Sequence, residues 1–399
     1  MRRPRPANAL PVLWLFLSSL SACGHRLEDQ ILSVEDGKIF CGVQIEKIWE
    51  KELYGRLVLA LPQGVFCDEI QDVMGREHKF QFFDYGGRLI REKSLLAGQG
   101  PDEVTVVTMA NTWLSSAGAI MVEDNDYLKT IDPETFEVRT LAKFANVIKG
   151  FGGKFIFGRH TLTSFEEQRN RTVTTFESTG FYENMTCYIA SYKGLLEDFS
   201  IIQKFKLPRP LAWVKLAEGR RESYTDYYHL LRIHRIFAVD WTRDVVYFIP
   251  DIEKPEIGFV SFDAKRQGKY YLEIRPKEFG VDRKELEFYH EYVRGQTDPR
   301  LKSYYKDILY IPPSAPALMG LKIVGDRLII MTGKRDWAKQ ENEALVYRLP
   351  SLEYEGSFPI PYPNLQTTRW DGDSYIIEKL VKRDDDFFYS WEIYRILFD

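Results

Sequence analysis

The residues of this 399-residue chain that could do chemistry are its histidines, its carboxylate runs, its glycine-rich stretches and its tryptophans. The histidines are His25, His78, His160, His229, His234 and His290. His229 and His234 stand five apart in the strand-like run YYHLLRIHRIF, so they point to opposite faces. A metal pair on one strand needs even spacing or a third ligand nearby, and no ligand set can be named. Glu123, Asp124 and Asp126 form one acidic cluster, and Asp384, Asp385 and Asp386 another. Both fall at strand junctions, where an aspartate side chain bonds the backbone and turns the chain. Calcium is the other reading of such clusters, without residues to assign to it. Gly98-Gln99-Gly100 opens like a dinucleotide fingerprint, but Pro101 intervenes and Glu103 stands where the third glycine belongs. Gly150 to Lys154 lacks the spacing and the Ser or Thr of a phosphate-binding loop. Both stretches read as turns. With no Gly-x-Ser-x-Gly elbow there is no nucleophile to name, so no residue is assigned a catalytic or metal-binding role.

The tryptophans offer recognition instead of reaction. Trp113, Trp213, Trp241 and Trp391 stand in strand-like contexts, which favour the core. Trp337 (KRDWAKQ) and Trp370 (TTRWDGD) sit among polar residues and are the candidate ligand-binding side chains.

The elements that must position them are short strands joined by tight turns. Lys79 to Glu103 is the clearest unit: an apolar run with Phe80, Phe82 and Phe83, then Asp84-Tyr85-Gly86-Gly87, a second run through Leu95 and Leu96, and the corner Gly98-Gln99-Gly100-Pro101-Asp102-Glu103. Aspartate and paired glycines supply a hairpin turn. YLKTIDPETFEVRTL repeats the theme around Asp132-Pro133-Glu134-Thr135, as do FAVDWTRDVVYFIP and GFVSFDAKRQGKYYLEI. Further strands are expected at Arg327 to Thr332, Ala344 to Leu349, Tyr375 to Val381 and Trp391 to Leu397. One helix is predicted, opened by a capping box at Asp282-Arg283-Lys284-Glu285 and stopped at Gly295, within an insertion over about 282–306.

FDYGGRLIREKSLLAGQGPDE resembles the first blade of six-bladed β-propellers, above all bacterial envelope propellers of the TolB-like and NHL-like group, with Asp102 where that corner usually has glycine. The resemblance implies an all-β fold: a single six-bladed propeller of four-stranded blades over 39–399. It also implies ring closure by an N-terminal strand, Ile39 to Ile48, beside Tyr375 to Leu397. Propellers that hydrolyse lactones carry metal ligands in their central channel, but those are dispersed over several blades and find no residue-by-residue match here.

The chain's start reads as an address. Arg2, Arg3 and Arg5 precede an apolar core from Leu10 to Leu20 that is too short to span a bilayer. Leu20-Ser21-Ala22-Cys23 resembles the lipobox of bacterial lipoproteins. That resemblance implies removal of 1–22, acylation of Cys23 (a palmitate-type membrane anchor) and a tether over 23–38. Gly24 after the cysteine, in place of aspartate, implies the outer membrane, with the domain periplasmic or surface-exposed. Cys41, Cys67 and Cys187 remain, and either Cys41 bonds Cys67 with Cys187 buried and free, or all three are buried thiols. Net charge of −4, with both signs mixed, argues against a nucleic-acid surface. The expected function is noncatalytic: a membrane-anchored scaffold that recognises an envelope protein, peptide or glycan without a cofactor beyond the lipid on Cys23. The alternative is a metal-dependent hydrolase or lyase acting in the central channel.

Overall fold

The computed structural model describes residues 26–399 except 54–55, 71–76, 99, 106, 108–111, 116–117, 125–126, 144–146, 152–153, 162–181, 192–199, 211–212, 218–219, 225–236, 252–253, 264, 276–278, 280–286, 288–316, 363–365 and 384–385. Between 142 and 236 the strands are described by their backbone alone.

Strand β1 (Arg26–Leu32) and β2 (Val43–Glu52) precede a sheet of β3 (Arg56–Leu61), β4 (Gly64–Ile70), β5 (Glu77–Phe83) and β6 (Leu89–Leu96). A second sheet is β7 (Thr112–Leu114), β8 (Ile120–Asp124), β9 (Tyr127–Ile131) and β10 (Val138–Lys143). A third is β11 (Val147–Phe151), β12 (Lys154–Thr161), β13 (Tyr182–Ser191) and β14 (Ser200–Pro210), followed by a ribbon of β15 (Trp213–Ala217) and β16 (Arg220–Tyr224). Next come β17 (Phe237–Asp240), β18 (Val245–Phe248), β19 (Glu256–Ser261) and β20 (Arg266–Leu272), then β21 (Leu318–Val324), β22 (Arg327–Asp336), β23 (Glu341–Arg348) and β24 (Glu353–Pro361). The last strands are β25 (Gln366–Asp371), β26 (Ser374–Arg383) and β27 (Asp386–Phe398).

Each of these groups is an up-and-down antiparallel meander, and sheets of this kind in succession make a β-propeller of four-stranded blades. Among the described residues five sheets have four strands, fewer than the six blades expected; the sheet of β17 to β20 carries β1 as a fifth strand, and β15 and β16 form a separate ribbon. The predicted helical insertion lies outside the described residues, apart from helical Glu287. Strand sequences follow their burial. Along β24 the side Tyr354, Gly356, Phe358, Ile360 is buried while the alternate residues are more exposed. In β19 every residue is buried, as packing on both faces requires.

The hairpin at Asp84 forms as its residues dictate: Asp84 N–H donates to the Arg88 carbonyl, and Gly87 takes φ +82°. At Asp132 the carboxylate accepts N–H bonds from Glu134 and Thr135 at 2.7 and 3.1 Å. The closing strand is also found. β2 pairs antiparallel with β27, from Val43 opposite Phe398 to Glu52 opposite Ser390.

Within the segment expected to be a tether over 23–38, Arg26–Leu32 form a strand of the fold. β1 pairs parallel with β20, from Arg26 opposite Arg266 to Leu32 opposite Leu272. Downstream, Phe40 N–H donates to the Ser357 carbonyl at 2.8 Å, and Ser357 N–H donates to the Lys38 carbonyl at 2.9 Å. Residues 26–52 thus form a strap across three successive sheets: β1 on β20, Ile39 on β24 and β2 on β27. Gly356 lets the strap pass, since a Cβ there would lie 2.7 Å from the Phe40 nitrogen. Cys41 and Cys67 are not bonded to each other; Cys41 is exposed and Cys67 buried.

Candidate functional site

Three buried charges define how this propeller uses polar residues in its interior. Lys129 on β9 and Asp124 on β8 are paired at 2.8 Å, each 1% exposed in its side chain. The same ammonium donates to the carbonyls of Gly100 and Glu103, at 3.1 and 2.6 Å. The Glu103 carboxylate in turn accepts the Gly100 N–H at 2.9 Å. The corner singled out in the sequence is therefore a turn fastened by a buried cation.

Arg369 on β25 donates to Asp371 at 2.6 Å and to the Thr112 hydroxyl of β7 at 3.0 Å, joining edge strands of two sheets. His78 lies 2.8 Å from Asp68, both buried, across the β4–β5 pair. Burial works against the charged imidazole, but the Asp68 hydrogen bond and charge, with backbone hydrogen bonds at Thr105 and Val104, together outweigh it, so the His78 pKa is raised above its ordinary value.

The surface is different at the β22–β23 hairpin. The Arg335 guanidinium lies 3.9 Å from the Trp337 ring centroid and 5.2 Å from that of Tyr362, a cation held between two aromatic rings. Gln340 accepts from Arg335 at 3.2 Å and donates to the Trp337 carbonyl at 2.9 Å. Asp336 accepts the N–H groups of Ala338 and Lys339, which sets the turn. Trp337 is half-buried on a fixed platform. Such a face suits stacking against a sugar ring, a peptide bond or another planar group.

Trp370 is not a second such residue. It is 5% exposed, sits in the largest core cluster and packs on Tyr375 with ring centroids 4.9 Å apart. Its polar flanks misled: Arg369 and Asp371 are themselves buried and bind each other. Trp113 and Trp391 are core residues, as expected, while Trp241 is half-buried and the side chain of Trp213 lies outside the described residues. Arg335 stands at the end of β22 and Trp337 in the turn that follows, so strand alternation does not announce their contact. Tyr362 was not legible either, since it arrives from just beyond β24.

Of the two acidic clusters, Asp124 is spent on Lys129, and Asp384 and Asp385 lie outside the described residues. Among the described residues no group of three potential ligands could hold a metal ion, and no helix is long and apolar enough to cross a membrane. Cys23 also lies outside them.

No protein family and no curated protein matches the chain. Solved structures to which it is similar include a luciferin-regenerating enzyme, at 10% identity and a TM-score of 0.36, covering 88% of this chain and 95% of that one. Regucalcin from Agrobacterium tumefaciens, a calcium-binding protein, is similar at 10% identity and a TM-score of 0.37, over 91% and 95%. An acylaminoacyl peptidase from Pyrococcus horikoshii is similar at 11% identity and a TM-score of 0.34, over 84% of this chain and 50% of that one. At this distance they carry no argument about activity.

Proposed function

We propose that this chain is a six-bladed propeller lipoprotein of the bacterial envelope, anchored through Cys23, that recognises a protein, peptide or glycan without catalysing a reaction on it. The sixth blade is the β17–β20 meander with β1 added to its edge. The lipobox resemblance supports the anchor, on the periplasmic side of the outer membrane or at its surface. The observation that carries the recognition reading is the Arg335–Trp337–Tyr362 cluster: a half-buried tryptophan held by its own neighbours at a surface hairpin. A preorganised aromatic of this kind loses little entropy on binding. The interior charges support the same reading, because Lys129, Arg369 and His78 are each committed to a carboxylate and to fastening the fold.

The test is retention of a partner from detergent-solubilised native envelope by the acylated chain, by Trp337→Ala and by Cys23→Ala. A stoichiometric partner that Trp337→Ala retains several-fold less well, at an unchanged unfolding midpoint, is the expected result. Equal retention by that variant refutes the cluster as the recognition site. Stoichiometric calcium or zinc that resists dialysis, with no partner bound, would favour a metal-dependent hydrolase or lyase acting in the central channel instead.

A further inference from the structure

The parallel pairing of β1 fixes which end of the propeller the proposed anchor holds. Arg26 opens β1 opposite Arg266, the first residue of β20. That end of the sheet also carries the turn between β19 and β20 and the turn between β17 and β18, because the strands alternate in direction. Cys23 precedes Arg26 by three residues. Such a span reaches at most ~10 Å even when fully extended. The opposite end of the sheet is a strand length further off, ~20 Å for seven residues at ~3.3 Å each.

The near end has surface suited to a headgroup layer. Trp241, in the β17–β18 turn, is half-buried and packs edge-on against Phe262 with centroids 5.9 Å apart. An indole with an apolar body and a polar N–H is the side chain favoured at the membrane–water boundary. Lys265, in the β19–β20 turn, is 81% exposed in its side chain and pairs only at 3.4 Å with exposed Asp263. Its ammonium can reach anionic lipid phosphate.

We infer that the propeller rests on the lipid surface by this turn-bearing end, with Trp241 and Lys265 at the headgroups, and turns its other end to the partner. This rests on the proposed acylation of Cys23. It also gives the Trp337 platform its orientation. The β22–β23 hairpin lies at the end of its own sheet opposite the β21–β22 and β23–β24 turns. Innermost strands of a propeller run in the same direction, so that hairpin shares the far end with the β18–β19 connection.

The experiment uses the full acylated chain in phosphatidylethanolamine–phosphatidylglycerol vesicles containing a lipid with a nitroxide on its headgroup. A fluorophore is placed by Lys265→Cys, or by Lys254→Cys at the opposite end of the same sheet, in a Cys41→Ser, Cys187→Ser background. Lys254 is suitable because its side chain is 63% exposed. Quenching several-fold stronger at 265 than at 254 is the expected result. Equal quenching, or stronger quenching at 254, on a chain whose mass shows the acyl chains overturns the orientation alone. A chain without acyl mass overturns the anchor, and the orientation with it.

Discussion

Lys129 shows what a single buried cation can do for an all-β fold. Its ammonium is coordinated by the Asp124 carboxylate and by two carbonyls of the corner after β6, so one residue ties a hairpin to a turn almost thirty positions earlier. Lys129→Met leaves Asp124 charged and buried with the corner carbonyls undonated, and breaking such a pair costs ~3–5 kcal/mol. Urea unfolding should show that loss directly. Asp124→Asn in the same chain should recover part of it, since an amide oxygen can still accept the Thr105 N–H now held at 3.1 Å. The pair Arg139–Glu137 is the contrast, with side chains 73% and 54% exposed, and Arg139→Ala there should leave the unfolding midpoint essentially unchanged. Equal losses at both sites would refute the fastening role of Lys129.

At the scale of elements, the strap is held where a glycine lets two backbones meet. Gly356 has φ +144° and sits against the Ile39–Phe40 backbone, so Gly356→Ala must push the strap off β24. Hydrogen exchange at the Phe40 and Ser357 amides should then speed by orders of magnitude, while the β22–β23 amides keep their protection. Unchanged protection at Phe40 would show that the strap does not depend on that contact. The strap also marks the limit of what the sequence discloses. Hairpins such as Asp84 to Arg88 and Asp132 to Glu137 were legible because their hydrogen bonds close within six residues. β4 (Gly64–Ile70) escaped notice although Gly64 to Asp68 are all buried, since GVFCDEI has no alternation to announce a strand. β1 escaped because its partner lies some 240 residues away, and no local pattern encodes a parallel edge pairing. Trp370 was misplaced for a related reason: its charged neighbours looked solvated, and the Thr112 that receives Arg369 is 257 positions distant.

For the molecule as a whole, closure is the property on which everything above depends. A propeller whose first and last sheets are not joined exposes strand edges and can splay. Here one sheet takes β2 from the start of the chain and β25 to β27 from its end, with Trp49 and Trp391 both buried in the resulting core. The termini of that pair nearly touch: Asp399 N–H donates to the Gly42 carbonyl at 3.0 Å. A permutant that joins Asp399 to Gly42 by a short turn, and opens the chain between Gly86 and Gly87, converts β27 and β2 into an ordinary hairpin. It also removes β1 and the strap to β24. If strand pairing alone closes the ring, this molecule folds with one cooperative unfolding transition, at a lower midpoint because the strap contacts are gone. If it unfolds in two steps, with the β17–β20 sheet melting first, the strap is part of the closure, and pairing of β2 with β27 alone does not hold the ring.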